Sequence, residues 1–188
     1  MEARSPRATR RGEKRGSSKK EKNLRTSELS NFRSHALSGH GWGAIKYTKT
    51  AIYSSIVDDP VILRQKDKDT ERLLRAGAEN VLWVQSPNDG LEEVMHLAVD
   101  RLSNLKGIII EGNSAIEFLK PDVVIFIFGG ENKPSKSSAM KILDMTDIIL
   151  FQQEPPVILP AGAKKFKVTI SPVSGFDAFI KYINRLLK

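Results

Sequence analysis

The sequence predicts a doubly wound α/β fold, in which a mostly parallel β-sheet is flanked by helices. Apolar stretches typical of strands buried on both faces alternate along the chain with stretches of helical periodicity. The stretches GIIIEG at 107–112 and PDVVIFIF at 121–128 show no apolar–polar alternation. A length of 188 residues, 40% of them hydrophobic, suits one domain with its own core.

The predicted elements follow one another from about residue 43. Alternation of strands with amphipathic helices favours parallel strands joined by helical crossovers. Gly77 suits the carboxyl end of a helix, because glycine tolerates a left-handed backbone. The predicted strands are 43–48, 81–85, 107–112, 121–128, 146–151 and 164–171, and the predicted helices lie within 68–80, 86–105, 114–119, 136–145 and 175–188.

Charge is distributed unevenly along the chain, whose formal net charge is +8. Residues 1–43 contain 11 Lys and Arg against 4 Asp and Glu, whereas residues 44–188 contain 19 against 18. We therefore predict a basic, disordered tail at 1–42 and an α/β domain at 43–188. Such a tail could attract nucleic acid, or it could be a solvated segment without a specific partner.

Several classes of protein are disfavoured by composition. The chain has no cysteine, which excludes disulfides and thiolate metal sites. No apolar run approaches the roughly 20 residues needed to span a bilayer, and the basic N-terminus lacks the apolar core of a signal peptide. The sequence therefore predicts a cytoplasmic protein without a membrane partner.

Polar residues that follow predicted strands are the candidates for a site, because open α/β sheets bind ligands at the carboxyl ends of their strands. Lys46 and Thr48 could face an anion or lie in a solvated loop. Asp69 or Thr70 could cap the helix that begins there. Glu111 could order a hydrated magnesium ion, or it could be an ordinary strand end meeting water.

Three of these segments, IKYTKT, KDKDTERLLRAGAENVLWVQSP and IIIEGN, occur in the order found in one known family. Over about residues 43–150 the chain resembles the molybdopterin-guanine dinucleotide biosynthesis protein B family, which is similar to phosphate-loop GTPases of the signal-recognition and MinD-like class. The matching motifs are Ile45-Lys46-Tyr47-Thr48, Lys68-Asp69-Thr70-Glu71-Arg72 with Ala76-Gly77-Ala78, and Glu111-Gly112.

This resemblance implies a GTP-binding adaptor in molybdenum cofactor biosynthesis, with Mg²⁺ and GTP as cofactors. The implied partners are the molybdopterin guanylyltransferase and molybdoenzymes, and the chain would form a homodimer. The implied nucleotide-binding residues are Lys46, Thr48 and Gly112, and the implied magnesium ligands are Asp69, Thr70 and Glu111.

Two departures from the family pattern affect this expectation. The sequence contains no G-x-x-x-x-G-K-[ST] phosphate loop, so the fold is expected to be of the phosphate-loop NTPase type with its first strand, loop and helix missing or replaced. After the 146–151 strand, Gln152-Gln153-Glu154 stands where a guanine-selecting Asn-Lys-x-Asp is usual. We therefore expect nucleotide binding to be impaired, and the sequence pattern selects no particular base. Residues 1–42 are expected to be of out-of-frame or degenerate origin.

Two other functions fit the same residues. One is a non-catalytic protein-interaction module on the same fold. The other is a nucleic-acid-associated protein that works through its basic tail. No catalytic residue is predicted for this chain.

Overall fold

The computed structural model describes residues 41–128, 137–170 and 173–187. Its strands are β1 (Trp42–Lys49), β2 (Ser55–Val57), β3 (Asn80–Ser86), β4 (Gly107–Glu111), β5 (Ile125–Ile127), β6 (Ile148–Phe151), β7 (Lys164–Lys167), β8 (Thr169–Ile170) and β9 (Val173–Ser174). Its helices are α1 (Pro60–Leu63), α2 (Asp69–Arg75), α3 (Leu91–Arg101), α4 (Ile116–Leu119), α5 (Ser137–Leu143) and α6 (Phe176–Leu186).

A four-stranded sheet with the order β2-β3-β1-β4 contains the predicted site residues. Its central strand β1 is parallel to both β3 and β4, and β2 is antiparallel to β3. The register places Lys46 opposite Trp83 on one side and opposite Glu111 on the other. Parallel pairing brings the carboxyl ends of β1, β3 and β4 to the same edge of the sheet.

Helices cover both faces of this sheet. Ile45 and Tyr47 of β1 pack on one face against α3, whose buried side chains include Leu91 and Met95. Ala44, which points to the opposite face, packs against Leu73 of α2 in a separate cluster. Alternation of side chains along β1 therefore divides the core into two layers, as expected for a strand buried on both faces.

A second, parallel sheet has the order β5-β6-β7, and β8 and β9 form an antiparallel pair. Ile148 and Phe179 lie in the cluster on one face, and Ile149 and Leu143 lie in the cluster on the other. The predicted fold class is confirmed at this level: the chain is a mixed α/β protein with mostly parallel sheets flanked by helices.

The segment between the first two predicted strands contains regular structure that the sequence analysis did not predict. Residues 55–57 form β2, and α1 follows with Pro60 in its first turn. The Asp59 carboxylate accepts a hydrogen bond from the Val61 amide at 2.8 Å, which caps α1. A three-residue strand on a sheet edge carries too little apolar pattern to be recognised in a sequence.

Element boundaries also differ from the predictions. Trp42, which was assigned to the tail, belongs to β1. The ladder of the predicted 121–128 strand covers only 125–127, and the predicted 164–171 strand is divided into β7 and β8. The predicted disorder of 1–42 falls on residues 1–40, which lie outside the described residues. No helix in the described ranges is long and apolar enough to cross a membrane.

Helix α3 offers a matched test of the layered core. Leu91 is 0% exposed and Leu97, on the same helix, is 52% exposed. We expect Leu91→Ala to lower the free energy of unfolding by about 2–5 kcal/mol, because it leaves a cavity beneath β1. Leu97→Ala should change it by no more than about 0.5 kcal/mol. Urea denaturation of both variants measures the difference, and equal effects would contradict the assigned burial of α3.

Candidate functional site

Three of the predicted site residues meet at the carboxyl edge of the first sheet. The Lys46 ammonium lies 2.8 Å from Asp69 Oδ2 and 3.0 Å from Glu111 Oε1. These residues are far apart in sequence and come from β1, the start of α2 and the end of β4. The three predicted motifs therefore contribute to one ion-pair cluster.

The backbone explains why these side chains meet. Lys46 and Glu111 are register partners in adjacent parallel strands, so their side chains leave the sheet on the same face. Two residues earlier on the same face, Ala44 and Ile109 pack against the cluster that contains Leu73 of α2. Packing of α2 on this face places its first residue, Asp69, over the Lys46 side chain.

A fourth charged residue, Arg72, completes the cluster. Its guanidinium Nη1 lies 3.1 Å from Asp69 Oδ1, across one turn of α2. The sequence analysis did not assign Arg72 to the site, although the i, i+3 spacing of Asp69 and Arg72 on a helix was an available signal. Among the described residues, two cations and two carboxylates meet here, and the formal charges of these four side chains cancel.

The four side chains of the cluster are partly exposed to solvent. The side chains of Lys46, Glu111 and Asp69 are 20%, 25% and 30% exposed, and that of Arg72 is 17% exposed. Ion pairs at this depth are less screened by salt than those on an open surface. The cluster connects α2 to two strands, and it remains accessible to solvent from the carboxyl edge of the sheet.

Thr48 has a partner beside the cluster. The indole Nε1 of Trp83 donates to Thr48 Oγ1 at 2.9 Å. Trp83 stands opposite Lys46 in the β1–β3 ladder, so both side chains leave the sheet on the face covered by α2. Trp83 was not predicted, because only the strand register shows that it lies next to Lys46.

Thr70 is not part of the cluster. Its side chain is buried, and its hydroxyl donates to the Leu63 carbonyl at 2.8 Å. That hydrogen bond connects α2 to the end of α1. The alternative interpretation of Asp69 or Thr70 as the helix cap is wrong, because the N-cap residue is Lys68 and no side chain caps the helix.

Gly112 has a packing role against Tyr47. Its φ is 156°, and a Cβ added to it would lie 2.8 Å from Tyr47 Cβ. The Tyr47 hydroxyl donates to the Ser86 carbonyl at 3.0 Å, and burial raises the pKa of this phenol above its ordinary value. Close approach of β1 to the residue after β4 therefore explains this glycine without a ligand.

The magnesium prediction depends on the oxygen donors that the cluster provides. Carboxylates are ligands that Mg²⁺ prefers, and the cluster supplies two of them, Asp69 and Glu111. The Lys46 ammonium lies between these carboxylates and takes the place that a cation would need. Within the described residues, no three His, Cys, Asp or Glu side chains are grouped for a metal ion. The arrangement therefore does not fit a metal ion unless Lys46 moves.

The second sheet has a separate hollow of about 420 Å³. It is lined by residues that precede the strands, among them Asp122, Asp144 and Asp147, and by Tyr182 of α6. None of the predicted site residues contributes to it. The Lys46 cluster therefore remains the candidate site.

Removal of the central cation tests the cluster. We expect Lys46→Met to lower the free energy of unfolding by about 1–2 kcal/mol, because Asp69 and Glu111 lose their shared cation in a partly buried place. Lys49→Met, on the exposed end of the same strand, is the control and should have an effect below about 0.5 kcal/mol. Adding Glu111→Gln to Lys46→Met should recover part of the loss, since it removes one of the facing charges. Urea denaturation measures these effects. If the double variant loses the sum of what Lys46→Met and Glu111→Gln lose separately, the coupling is contradicted.

The burial of Tyr47 predicts how the free energy of unfolding depends on pH. Because burial raises its pKa above 10.0, the buried phenol contributes stability below about pH 10 that is lost as the pH rises further. Near pH 8, Tyr47→Phe should lower the free energy of unfolding by about 1 kcal/mol, because the variant lacks the hydroxyl that donates to the Ser86 carbonyl. The difference in free energy of unfolding between Tyr47→Phe and the unmodified chain should become smaller above pH 10. Tyr53→Phe, at a 54% exposed position, is the control, and a deficit constant from pH 8 to 11 would contradict this assignment.

Comparisons with known proteins give no identification. The sequence matches no protein-family model, no curated protein and no solved structure at a significant level. The family resemblance therefore stays a prediction based on the three motifs.

Proposed function

We propose that this chain is a GTP-binding-type adaptor in the formation of molybdopterin guanine dinucleotide. The single observation that supports the proposal is the convergence of Lys46, Asp69 and Glu111 within 3.0 Å at the carboxyl edge of parallel strands. Each of the three residues belongs to a different one of the motifs that resemble the family. This edge is also where open α/β sheets place their ligands.

Nucleotide affinity in this proposal is weak, for two reasons. The sequence contains no G-x-x-x-x-G-K-[ST] loop, so the backbone amides that cradle phosphates in phosphate-loop proteins have no counterpart in its pattern. In addition, the ammonium of Lys46 is already paired with two carboxylates. A phosphate must therefore compete with Asp69 and Glu111 for this cation.

A second candidate is a non-catalytic protein-interaction module on the same fold. The pairing of Lys46 and Arg72 with the carboxylates of Asp69 and Glu111 favours it, because a cation that already has a carboxylate partner attracts a polyphosphate less. In this case the cluster serves to hold α2 on the sheet. The partner would remain the guanylyltransferase, and nucleotide would have no role.

Calorimetric titration with GTP, with and without magnesium, separates the two candidates. The adaptor with a residual nucleotide site should bind GTP with a Kd of about 1 mM, equivalent to roughly 4 kcal/mol. Lys46→Ala should abolish the heat, and Lys49→Ala should leave it unchanged. Absence of heat from the unmodified chain at several millimolar GTP would contradict the nucleotide site and leave the interaction module.

Binding to a purified molybdopterin guanylyltransferase tests the adaptor function that both candidates share. We expect saturable binding with a Kd in the micromolar range, about 8 kcal/mol, in biolayer interferometry at 0.15 M salt. A synthetic peptide of residues 1–40 is the control for electrostatic attraction by the basic segment, and it should not compete. Absence of binding at tens of micromolar, or full competition by the peptide, would contradict the adaptor function.

A further inference from the structure

Asp69 bridges the two cations of the Lys46 cluster. Its Oδ2 lies 2.8 Å from the Lys46 ammonium, and its Oδ1 lies 3.1 Å from Nη1 of Arg72. The ammonium belongs to a central strand and the guanidinium to a helix, so cations from two elements converge on one carboxylate. Lysine and arginine bind phosphate through the same kind of charge-assisted hydrogen bond that they make to a carboxylate. The place that the Asp69 carboxylate occupies is therefore also suited to an oxyanion of a ligand.

Glu111 contributes to the cluster in a different way. Its Oε1 lies 3.0 Å from the Lys46 ammonium, and the two residues are register partners in adjacent strands. Glu111 therefore holds the ammonium from within the sheet, whereas Asp69 reaches it from α2. Because the sheet register fixes the pair of Lys46 with Glu111, Lys46 keeps this partner and its position when Asp69 turns away.

Asp69 can turn away from the cations without unfolding α2. It is the first residue of this helix, and its side chain is 30% exposed, so it can rotate towards solvent. The helix is anchored farther along by Leu73, which is 0% exposed, and by Thr70, whose hydroxyl donates to the Leu63 carbonyl. Arg72 lies between these two anchors. A rotation of one side chain is therefore enough to free the space between the two cations.

We propose that Lys46 and Arg72 form a binding site for the phosphate group of a ligand, and that Asp69 is its built-in competitor. In this structure the Asp69 carboxylate closes the site. A phosphate group displaces this carboxylate and binds both cations, while Glu111 stays on Lys46. The three side chains that remain carry two positive charges and one negative charge, which favours an anion. That the phosphate belongs to a nucleotide rests on the proposed function.

A phosphate group is favoured over a carboxylate of a partner protein as the occupant of this site. A carboxylate carries one negative charge, so it would replace Asp69 with an equivalent group and would bear the entropic cost of association as well. A phosphate monoester carries a charge of about −1.5 to −2 near pH 7 and has three acceptor oxygens. A phosphate group therefore gains electrostatic attraction over the carboxylate that it displaces.

Removal of the Asp69 carboxylate tests the built-in competitor. If Asp69 closes the site in about nine of ten molecules, Asp69→Asn should raise the apparent affinity for inorganic phosphate about tenfold. Asp69→Ala should do the same, so the result does not depend on the asparagine side chain. Glu71→Gln is the matched control and should leave the affinity unchanged. It removes the same charge from the same helix, where Glu71 pairs with Arg75.

The affinity is measured from the increase in the urea midpoint with phosphate concentration, at an ionic strength held constant with sodium chloride. Each variant is compared with itself without phosphate, so a lower starting stability does not hide binding. Phosphate salts also stabilise folded proteins in general, and this effect is common to all the variants. The difference between the Asp69 variants and Glu71→Gln therefore reports the site.

The role of Arg72 is tested in the Asp69→Asn background. Adding Arg72→Gln should abolish the gain in phosphate affinity, whereas adding Arg75→Gln, at a 77% exposed side chain on the same helix, should preserve it. Equal affinities of the unmodified chain and both Asp69 variants would overturn the proposal, as would an equal gain in Glu71→Gln. A gain that survives Arg72→Gln would also overturn it, and so would binding of acetate as tight as that of phosphate.

These outcomes are separate from those of the proposed function, because the assay contains neither nucleotide nor a partner protein. Tighter phosphate binding by Asp69→Asn, without GTP binding by the same variant, would support the site and contradict the nucleotide. Binding of GTP by the unmodified chain, without any gain in phosphate affinity on removal of the carboxylate, would support the nucleotide and overturn the built-in competitor.

Discussion

The parallel pairing of β1 with β3 and β4 is the constraint on which the first sheet depends. β1 is hydrogen-bonded on both edges and packed on both faces, and Ala44 and Ile45 are both completely buried. Every helix of this half packs against one of these two faces. The same pairing fixes the register that brings Lys46 beside Glu111. The candidate site is therefore a consequence of the sheet and is not built by loops alone.

The Lys46 cluster consists of Lys46, Asp69, Arg72 and Glu111. It connects elements of the fold at an edge of the kind where open α/β sheets bind ligands. Its four side chains connect α2 to β1 and β4, and its formal charges cancel. The two paired carboxylates lower the attraction of Lys46 for phosphate, because an anion must displace a carboxylate from this cation. The Trp83 indole, which donates to Thr48 Oγ1, lies on the same face of the sheet as the cluster.

Among the described residues, β4 and β5 are edge strands that each pair on one side. β4 and β5 belong to the same sequence of alternating strands and helices, yet each ends a separate sheet. The outer edges at β2 and β7 carry polar or charged protection, whereas these two carry isoleucine and phenylalanine.

The sequence by itself determined the fold class, the order of the main elements and three members of the cluster. Unbroken apolar runs such as 107–112 require burial on both faces, and polar residues after such runs reach the carboxyl edge of a parallel sheet. Only the tertiary structure decided which polar residues meet. Thr70, adjacent to Asp69, turns to the Leu63 carbonyl, whereas Trp83 reaches the site through strand register. Such long-range contacts depend on how strands pair across the fold, which local patterns do not encode.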